Sequence, residues 1–557
     1  MVDLVWNVFL TVMVRVWSAG NILQNERQQT MRPSRWHPPV DLAGAEPAIV
    51  QRIRRAKLFV FLRRQRHAIF SDAFQDELAT LYKESPVGQP PLPPAQLALA
   101  TILQAYTGVS DDEVIEATVM DRRWQLVLDC LDCPHPPFSK GTLVAFRKLL
   151  IARDLDRRLI ERTVEIAEQT HEVGSRQLRA ALDSSPLWGA GRVEDTYNLL
   201  GHALKKALGV IARQQGRGLA DLAAEAGAPV VGGTSLKAAL DRDWDDPSER
   251  AAALRSVLDA LDAVEAWMAG QPIMPTTTRD TAPQVVEASL ATAHQVVAQD
   301  VETATEGTPT LRRGVAKDRR ISVEDAQMRH GRKSRSHLFD GFKRHVLRDL
   351  DLRVIRAVAL TPANVPEATA TEDIAADLAR QEGTLAELHI DRAYLSSSLV
   401  RERPPELAIY CKAWPVRNRR GFPKTQFTLD WQTQTLTCPH DVVIPFQAGH
   451  TVHFPEEECA PCPLRARCTT SVHGRSVAIH PDERLLAELR ERQTTAAGRA
   501  KLRERIGVEH ALAHIGHWQG ARARYCGLRK NLFDLRRAAI VHNLHIIARS
   551  PDESKVA

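Results

Sequence analysis

Apolar residues recur at helical spacing along most of the N-terminal third of the chain. The spacing runs through residues 50–82 and resumes over 96–128, after a proline-rich break, SPVGQPPLPP, at 85–94. A Gly108-Val109-Ser110 turn divides the second stretch, and Ser110 is a candidate N-cap for the helix that follows. One more long helix is predicted over 141–171. The pattern fits a helix-turn-helix and fits an ordinary helical hairpin equally well.

From residue 178 onward, short apolar strands appear between helical stretches. Helical spacing returns over 195–268, 370–381 and 481–549. The predicted strands are LRAALDSS at 178–185, HLFDGFKRHVLRD at 337–349, LRVIRAVALTP at 352–362, LAELHID at 385–391 and LAIYCKAW at 407–414. With 195–268 set aside as an insert, and a helix expected after residue 391, the order is three strands, helix, strand, helix, strand, helix. This is the order of an RNase H-like core, an α/β fold with a mixed five-stranded sheet.

The overall composition is that of a globular protein with a mild excess of positive charge. Of the 557 residues, 44% are hydrophobic and 25% are charged, and the formal net charge is +6. The excess is concentrated locally, with eight Lys or Arg against three Asp over 329–353 and six against one over 521–537. Such stretches permit a nucleic-acid partner, although ordinary solvated faces have the same composition.

The first 17 residues, MVDLVWNVFLTVMVRVW, are apolar but do not predict a membrane helix. Asp3 and Arg15 interrupt the run, which is shorter than the roughly 20 residues that a span needs. No basic segment precedes it and no clear cleavage pattern follows. Met31 begins a more ordinary soluble start, so residues 1–30 fit an over-extended gene prediction. We expect a cytoplasmic protein with no membrane partner.

Two aspartates end predicted core strands, where carboxylates are uncommon because burying them unpaired is costly. Asp183 ends the first strand and Asp391 ends the fourth. Each alone is explained as a cap or turn residue, but together in this strand order they indicate a metal site. Two-metal phosphoryl transfer needs a third acid from the C-terminal helix. Glu509 is that candidate, with Arg505 four residues earlier, and Glu504 is the competing choice.

Several long segments resemble the DDE transposases of bacterial insertion sequences, and most closely the insertion-sequence 1182 branch. These segments are LDSSPLWGAGRVEDTYNLLGHAL, FDGFKRHVLRDLD, HIDRAYLSS and EHALAHIGHWQGARARYCGLRKNLFDLRRAAIVHNLH. The resemblance implies a catalytic triad of Asp183, Asp391 and Glu509 that binds two Mg²⁺ or Mn²⁺ ions. It also implies cleavage at terminal inverted repeats, joining to target DNA, and a dimer on DNA. A catalytically inactive DNA-binding relative and a stand-alone RNase H-like nuclease are the alternatives.

The chain departs from the pattern that this superfamily often has around its third acid, Tyr-x2-Arg-x3-Glu-x6-Lys. Arg505 is retained before Glu509, but Leu502 stands where the Tyr belongs and Gly516 where the Lys belongs. The DNA contacts of that Tyr and Lys therefore cannot be carried over. Their replacements are sought among His514, His517 and Lys530.

Four of the eight cysteines cluster in one segment, which favours a metal site over disulfides. Cys459, Cys462 and Cys468 follow Cys438 in a segment that resembles one common in these transposases. They are candidates for one structural Zn²⁺, which would stabilise a loop-rich insert without a large core. Histidine ligands in place of Cys438 and free thiols are the alternatives; the histidines are His440, His450 and His453. Cys130 and Cys133 have no second pair nearby and are expected to be structural.

Basic residues near the C-terminus are candidates for contacts with DNA phosphates. The predicted DNA-binding residues are Arg505, Arg522, Arg524, Tyr525, Arg529 and Lys530, with Lys343 and Arg344 in a second strip. Tyr525 would stack on a base. Leu528, Leu532 and Leu535 share one helical face, so we expect leucines toward the core and arginines toward DNA. Such contacts to the backbone do not specify a sequence.

We therefore expect an α/β fold built on an RNase H-like catalytic core with helical and Cys-rich inserts. The protein would act in the cytoplasm in association with the nucleoid. The predicted divisions are an N-terminal extension, disordered or mis-predicted, at 1–45; a helical DNA-binding domain at 46–175; the first core strand at 176–194; a helical insert and linker at 195–330; the remaining core at 331–414; a Cys-rich insert at 415–480; and C-terminal helices with the third acid at 481–550.

Overall fold

The computed structural model describes residues 32–83, 89–171, 177–270, 281–304, 307–334, 336–416 and 421–549. Most of the predicted N-terminal extension, residues 1–31, lies outside the described residues. So do part of the proline-rich break, 84–88, and most of the predicted linker, 271–280.

The N-terminal region is helical. Its helices are α1 (Glu46–Arg52), α2 (Lys57–Ile69), α3 (Asp72–Ala79), α4 (Pro94–Thr107), α5 (Asp111–Met120), α6 (Arg122–Leu128), α7 (Lys140–Ala152) and α8 (Leu155–Thr170). The predicted turn separates α4 from α5: Gly108 is left-handed with φ +76°, and Ser110 forms a capping box with Glu113. The single long helix predicted over 141–171 is two helices, because Asp154 takes a left-handed conformation with φ +55°.

Residues 32–45 are attached to these helices. The Trp36 backbone N–H donates to Gln75 Oε1 at 2.7 Å, and Arg63 Nη1 donates to the Val40 carbonyl at 3.0 Å. The buried Arg63 guanidinium also pairs with Glu46 at 2.7 Å. This part of the predicted extension therefore packs on α2 and α3.

A six-stranded mixed sheet forms the centre of the protein. Its strands are β1 (Gln177–Trp188), β4 (Arg329–Arg332), β5 (Leu338–Asp349), β6 (Ile355–Pro362), β7 (Thr384–Ile390) and β8 (Ala408–Tyr410). Their order in the sheet is β6-β5-β1-β7-β8, with β4 paired to the first part of β5. β1 is antiparallel to β5 and parallel to β7, and β7 is parallel to β8. Helix α15 (Ala370–Leu378) connects β6 to β7, and α16 (Ser398–Arg401) lies between β7 and β8.

The two faces of the sheet belong to different cores, because side chains alternate along each strand. Leu182 and Ile390 pack in one core with Ile374 of α15. Ala181 and Val346 point to the other face and join the core of the N-terminal helices. That second face is covered by α21 (Ile506–Gln519) and α22 (Leu528–Ile547), whose apolar residues join the same core. Two further C-terminal helices are α19 (Glu483–Thr494), which packs in the first core through Leu485, Leu486 and Leu489, and α20 (Ala496–Arg503).

Two inserts have hydrophobic cores of their own. The first follows β1 and contains α9 (Thr196–Gln215), α10 (Leu219–Glu225), α11 (Pro229–Gly232), α12 (Leu236–Leu240), α13 (Pro247–Ala269), α14 (Ala282–Asp300), β2 (Val301–Thr303) and β3 (Pro309–Leu311). The second follows β8 and contains β9 (Thr428–Asp430), β10 (Thr435–Thr437), β11 (Val443–Pro445), β12 (Thr451–His453), α17 (Glu456–Cys459), α18 (Arg465–Cys468) and β13 (Ser476–Ala478). Within the described part of the chain, no helix combines the length and apolar character needed to cross a membrane.

Candidate active site

The parallel pairing of β1 with β7 brings Asp183 and Asp391 side by side. Leu182 of β1 is in register with Ile390 of β7, and each aspartate is the next residue. Asp183 Oδ1 accepts a hydrogen bond from the Ser184 N–H at 2.8 Å. Asp391 Oδ1 accepts one from the Arg392 N–H at 2.7 Å and begins a short 3₁₀ turn. The backbone therefore orients both carboxylates at the point where the pairing of β1 with β7 stops. The prediction that Asp183 ends its strand was wrong, because β1 continues to Trp188 in its pairing with β5.

Glu509 approaches the same point from the first turn of α21. Arg505, at the junction between α20 and α21, links the two sides of the site. Its Nη2 donates to Glu509 Oε1 at 2.9 Å, and its Nη1 contacts Asp183 Oδ2. Asp391, Arg505 and Glu509 also line a common cleft of about 380 Å³. The three sequence-predicted acids thus converge, with one guanidinium between two of them.

Negative charge in this site is only partly compensated. Burial raises the pKa of Asp183, whose side chain is 15% exposed, while Arg505 and the Ser184 N–H act in the opposite direction. The charges of Asp391 and Glu509 raise this pKa further. Three carboxylates, of which two contact a single arginine, are a donor set suited to hard divalent cations such as Mg²⁺ and Mn²⁺.

A second acidic group lies on the same face of the sheet, farther back along β7. Among the described residues, Glu387, His389 and Glu504 bring potential ligand atoms within 4.8 Å of one another. Arg179 Nε donates to Glu387 at 3.0 Å and contacts Glu504. Lys501 Nζ donates to Glu387 at 2.9 Å. Glu504, the competing third acid, is therefore part of this ion-pair network.

Hydrogen-bonding partners in this second group hold the Glu387 carboxylate in its charged form. Burial alone would raise the pKa of Glu387, but hydrogen bonds from Lys501, Arg179 and His389 lower it to about 2. Burial lowers the pKa of His389, which favours the neutral ring. The arrangement fits a structural network better than a metal site, because the carboxylates already have cationic partners.

Lys343, Arg344 and Arg529 were predicted to bind DNA, but they are buried or half-buried and have internal partners. Arg344 is 6% exposed; its Nε donates to Ser185 Oγ at 2.7 Å and its Nη1 to the Gly520 carbonyl at 2.9 Å. Arg529 Nη1 donates to Asp156 at 2.9 Å. Lys343 donates to the Val365 carbonyl at 2.9 Å. These side chains bind other parts of the protein. Their charge is therefore less available to DNA phosphates than the basic sequence pattern indicated.

The other predicted DNA-binding residues near the C-terminus are more accessible to solvent. Arg522 and Arg524 are exposed and donate to the carbonyls of Gly189 and Gly108, each at 3.0 Å. Lys530 is exposed as well. Tyr525 is half-buried, and its hydroxyl is 3.5 Å from Arg537 Nη2. His514 and His517, the other candidate replacements for the missing lysine, are exposed on α21.

The sequence reasoning missed three cations that line the cleft beside Asp391. They are Lys412, Arg499 and Arg503. Arg499 and Arg503 are four residues apart on α20, and this spacing could have indicated a shared basic face. Lys412 follows the last core strand, and no local sequence signal distinguishes it.

The four clustered cysteines also converge. Cys438, Cys459, Cys462 and Cys468 line a small cavity of about 30 Å³, together with Phe454. All four are free thiols, and Cys438 Sγ accepts a hydrogen bond from the His440 N–H at 3.3 Å. Burial raises the pKa of Cys468, and the three other cysteines raise it further. The alternative ligands do not line this cavity among its described residues; they are His440, His450 and His453, all exposed.

Two parts of the chain match the models of known families. Residues 445–548 match the model of a transposase DDE domain, and residues 50–149 match that of a transposase domain, DUF772. The first match includes Glu509 and three of the clustered cysteines, and the second covers most of the N-terminal helices. No curated protein and no solved structure has significant similarity to the chain. The two matches support a DDE-type transposase, a family for which DNA is the substrate.

Proposed function

We propose that this protein is a DDE transposase that binds the terminal inverted repeats of its insertion sequence, cleaves DNA there and joins the ends to target DNA. The convergence of Asp183, Asp391 and Glu509 carries this proposal. The sheet supports it, because its order β6-β5-β1-β7-β8, in which β1, β7 and β8 are parallel to one another, is that of an RNase H-like core. The remaining support is the match to a transposase DDE domain.

The residues of the site have distinct roles in this proposal. Asp183, Asp391 and Glu509 would hold two Mg²⁺ or Mn²⁺ ions, which polarise the scissile phosphate and make water or a 3′-hydroxyl a stronger nucleophile. Ser184 and Arg392 fix the two aspartates through their backbone N–H groups. Arg505 supplies positive charge beside the carboxylates and is within reach of an incoming phosphate.

DNA would also be bound outside the cleft. Arg522, Arg524 and Lys530 are the accessible candidates for phosphate contacts, and Tyr525 is the candidate for stacking on a base. Synapsis of two DNA ends implies at least a dimer on DNA. An enzyme acting on chromosomal DNA would work in the cytoplasm at the nucleoid.

A strand-transfer assay on duplexes that carry the DNA flanking the gene tests the function. We expect the wild-type protein with Mg²⁺ to nick these ends and join them to a target duplex, and Asp391→Asn to do neither. Cutting without joining would favour a stand-alone nuclease. Binding without cutting would favour a catalytically inactive relative. Unchanged cleavage by Asp391→Asn would remove Asp391 from the site.

The cysteine cluster supports one structural Zn²⁺, held by Cys438, Cys459, Cys462 and Cys468. Four thiolates are a usual ligand set for such an ion, which would stabilise an insert with a small core. We expect the purified protein to contain about one Zn²⁺ per chain, and Cys459→Ser to lose it and melt several degrees lower. Cys526→Ser, outside the cluster, is the control. Zinc-free wild-type protein with unchanged melting after chelation would contradict the proposal.

A further inference from the structure

The cleft beside Asp391 is lined by cations that have no acidic partner. Lys412, Arg499 and Arg503 are exposed, and none of them forms an ion pair with a carboxylate in the described part of the chain. This differs from Arg505 in the same cleft, which contacts Asp183 and Glu509. Uncompensated positive charge is thus concentrated on one side of the three acids.

Two elements hold these cations around the same space. Lys412 follows β8, the edge strand next to β7. Arg499 and Arg503 are four residues apart on α20 and line the cleft together. Arg499 Nη1 donates to the Thr494 carbonyl at 2.7 Å, which directs its guanidinium without neutralising it.

The remaining lining of the cleft suits the backbone of a polynucleotide. Tyr410, Leu502 and Ile506 contribute apolar surface between the charged groups. Guanidinium and ammonium groups that are not paired with carboxylates are the usual donors to phosphate oxygens. An anion bound here would lie next to Asp391 and Glu509, which also line the cleft, so the local positive charge must offset their repulsion.

We propose that Lys412, Arg499 and Arg503 form a phosphate-binding subsite that holds the DNA backbone adjacent to the phosphate being cut. This inference rests on the proposed transposase function. It names the side of the active site along which the DNA strand runs. The subsite binds phosphates of any sequence. Its contribution is to align the strand with Asp183, Asp391 and Glu509.

Binding to a random-sequence duplex in EDTA, measured by fluorescence anisotropy over a range of KCl concentrations, tests the subsite. The variant combines Lys412→Ala, Arg499→Ala and Arg503→Ala. We expect each lost contact to weaken binding roughly tenfold near 0.1 M salt and to reduce the slope of log K against log salt by about one. The matched control is Arg255→Ala, an exposed arginine of α13 that donates to the Gly307 carbonyl. It should leave affinity and slope unchanged.

A second variant separates charge from structure. Arg499→Lys with Arg503→Lys keeps the positive charge and should retain most of the affinity and the slope. Equal affinity and slope for the triple variant and the wild-type protein would overturn the subsite. Because binding is measured without metal, this result is distinct from failure of the proposed function, in which the wild-type protein binds DNA but does not cut it.

Discussion

Two acidic clusters lie on one face of the central sheet, and they differ in the charge around them. The open cluster is Asp183, Asp391 and Glu509, and its described ion pairs involve Arg505 alone. The paired cluster is Glu387, His389 and Glu504, and both of its glutamates contact Arg179 and Lys501. In the absence of a ligand, both glutamates of the paired cluster have two cationic partners, whereas the three carboxylates of the open cluster have one arginine in direct contact.

The comparison shows that closeness of ligand atoms does not by itself indicate a metal site. The paired cluster has the closer ligand atoms, within 4.8 Å, but cations lower the pKa of Glu387 to about 2. In the open cluster, burial raises the pKa of Asp183. A divalent ion entering the paired cluster would have to displace existing ion pairs of two basic residues. In the open cluster it would relieve repulsion among carboxylates.

The largest expected effect is the loss of DNA cleavage when an acid of the open cluster, and not one of the paired cluster, is replaced. Asp183→Asn should reduce metal-dependent DNA cleavage by about a thousandfold, because loss of a metal ligand removes roughly 4 kcal/mol of transition-state stabilisation. Glu387→Gln should cost less than about tenfold, since it acts only through the position of α20 and α21. Initial rates of nicking with saturating Mg²⁺ measure both. Equal losses in the two variants would erase the functional difference between the clusters.

The second effect is the loss of free energy of unfolding in Glu387→Gln, which depends on pH. The pKa of Glu387 is lowered from 4.5 to about 2 on folding, so its contribution is present above pH 4.5 and is lost as pH falls toward 2. Glu387→Gln should therefore lower the free energy of unfolding by at most about 3 kcal/mol at neutral pH, and by progressively less in acid.

Urea unfolding between about pH 3.5 and pH 7 measures the full difference near neutral pH and its decline through the upper part of the titration window. Glu402→Gln, an exposed carboxylate after α16, is the control and should show no such trend. A difference between wild type and Glu387→Gln that is constant with pH would mean that the ion pairs of the paired cluster do not stabilise the fold.

The sequence could predict the strands, because alternation of apolar residues is a local property, and it could predict that Asp391 follows its strand. It could not predict that β1 continues past Asp183 to Trp188, because that extension depends on pairing with the distant strand β5. It could not choose between Glu504 and Glu509 by spacing alone. The break between α20 and α21 directs Glu504 to Arg179 and leaves Glu509 in the cleft. The burial of Arg344 was equally hidden, since its partners at Ser185 and Gly520 come from distant parts of the chain.

A third, smaller effect tests the single arginine of the open cluster. Arg505→Gln removes the cation that contacts Asp183 and Glu509, so Mn²⁺ should bind about tenfold more tightly, a gain of about 1.4 kcal/mol. Free Mn²⁺ measured by electron paramagnetic resonance gives the affinity without any turnover. Arg503→Gln, in the same cleft but without a carboxylate contact, is the matched control. Unchanged or weaker Mn²⁺ binding by Arg505→Gln would show that the guanidinium does not compete with metal.

The smallest expected effect is that of Asp183→Asn on the free energy of unfolding, and its sign is opposite to that of Glu387→Gln. Burial raises the pKa of Asp183, so at neutral pH its ionised form carries an energetic cost that folding must overcome. Asp183→Asn removes that cost and should raise the free energy of unfolding in EDTA by up to about 1 kcal/mol, although we expect it to reduce cleavage strongly. Glu387→Gln should lower the same quantity while sparing activity. If Asp183→Asn also destabilises the metal-free protein, its pairing with Arg505 outweighs its burial, and the open cluster is as well compensated as its neighbour.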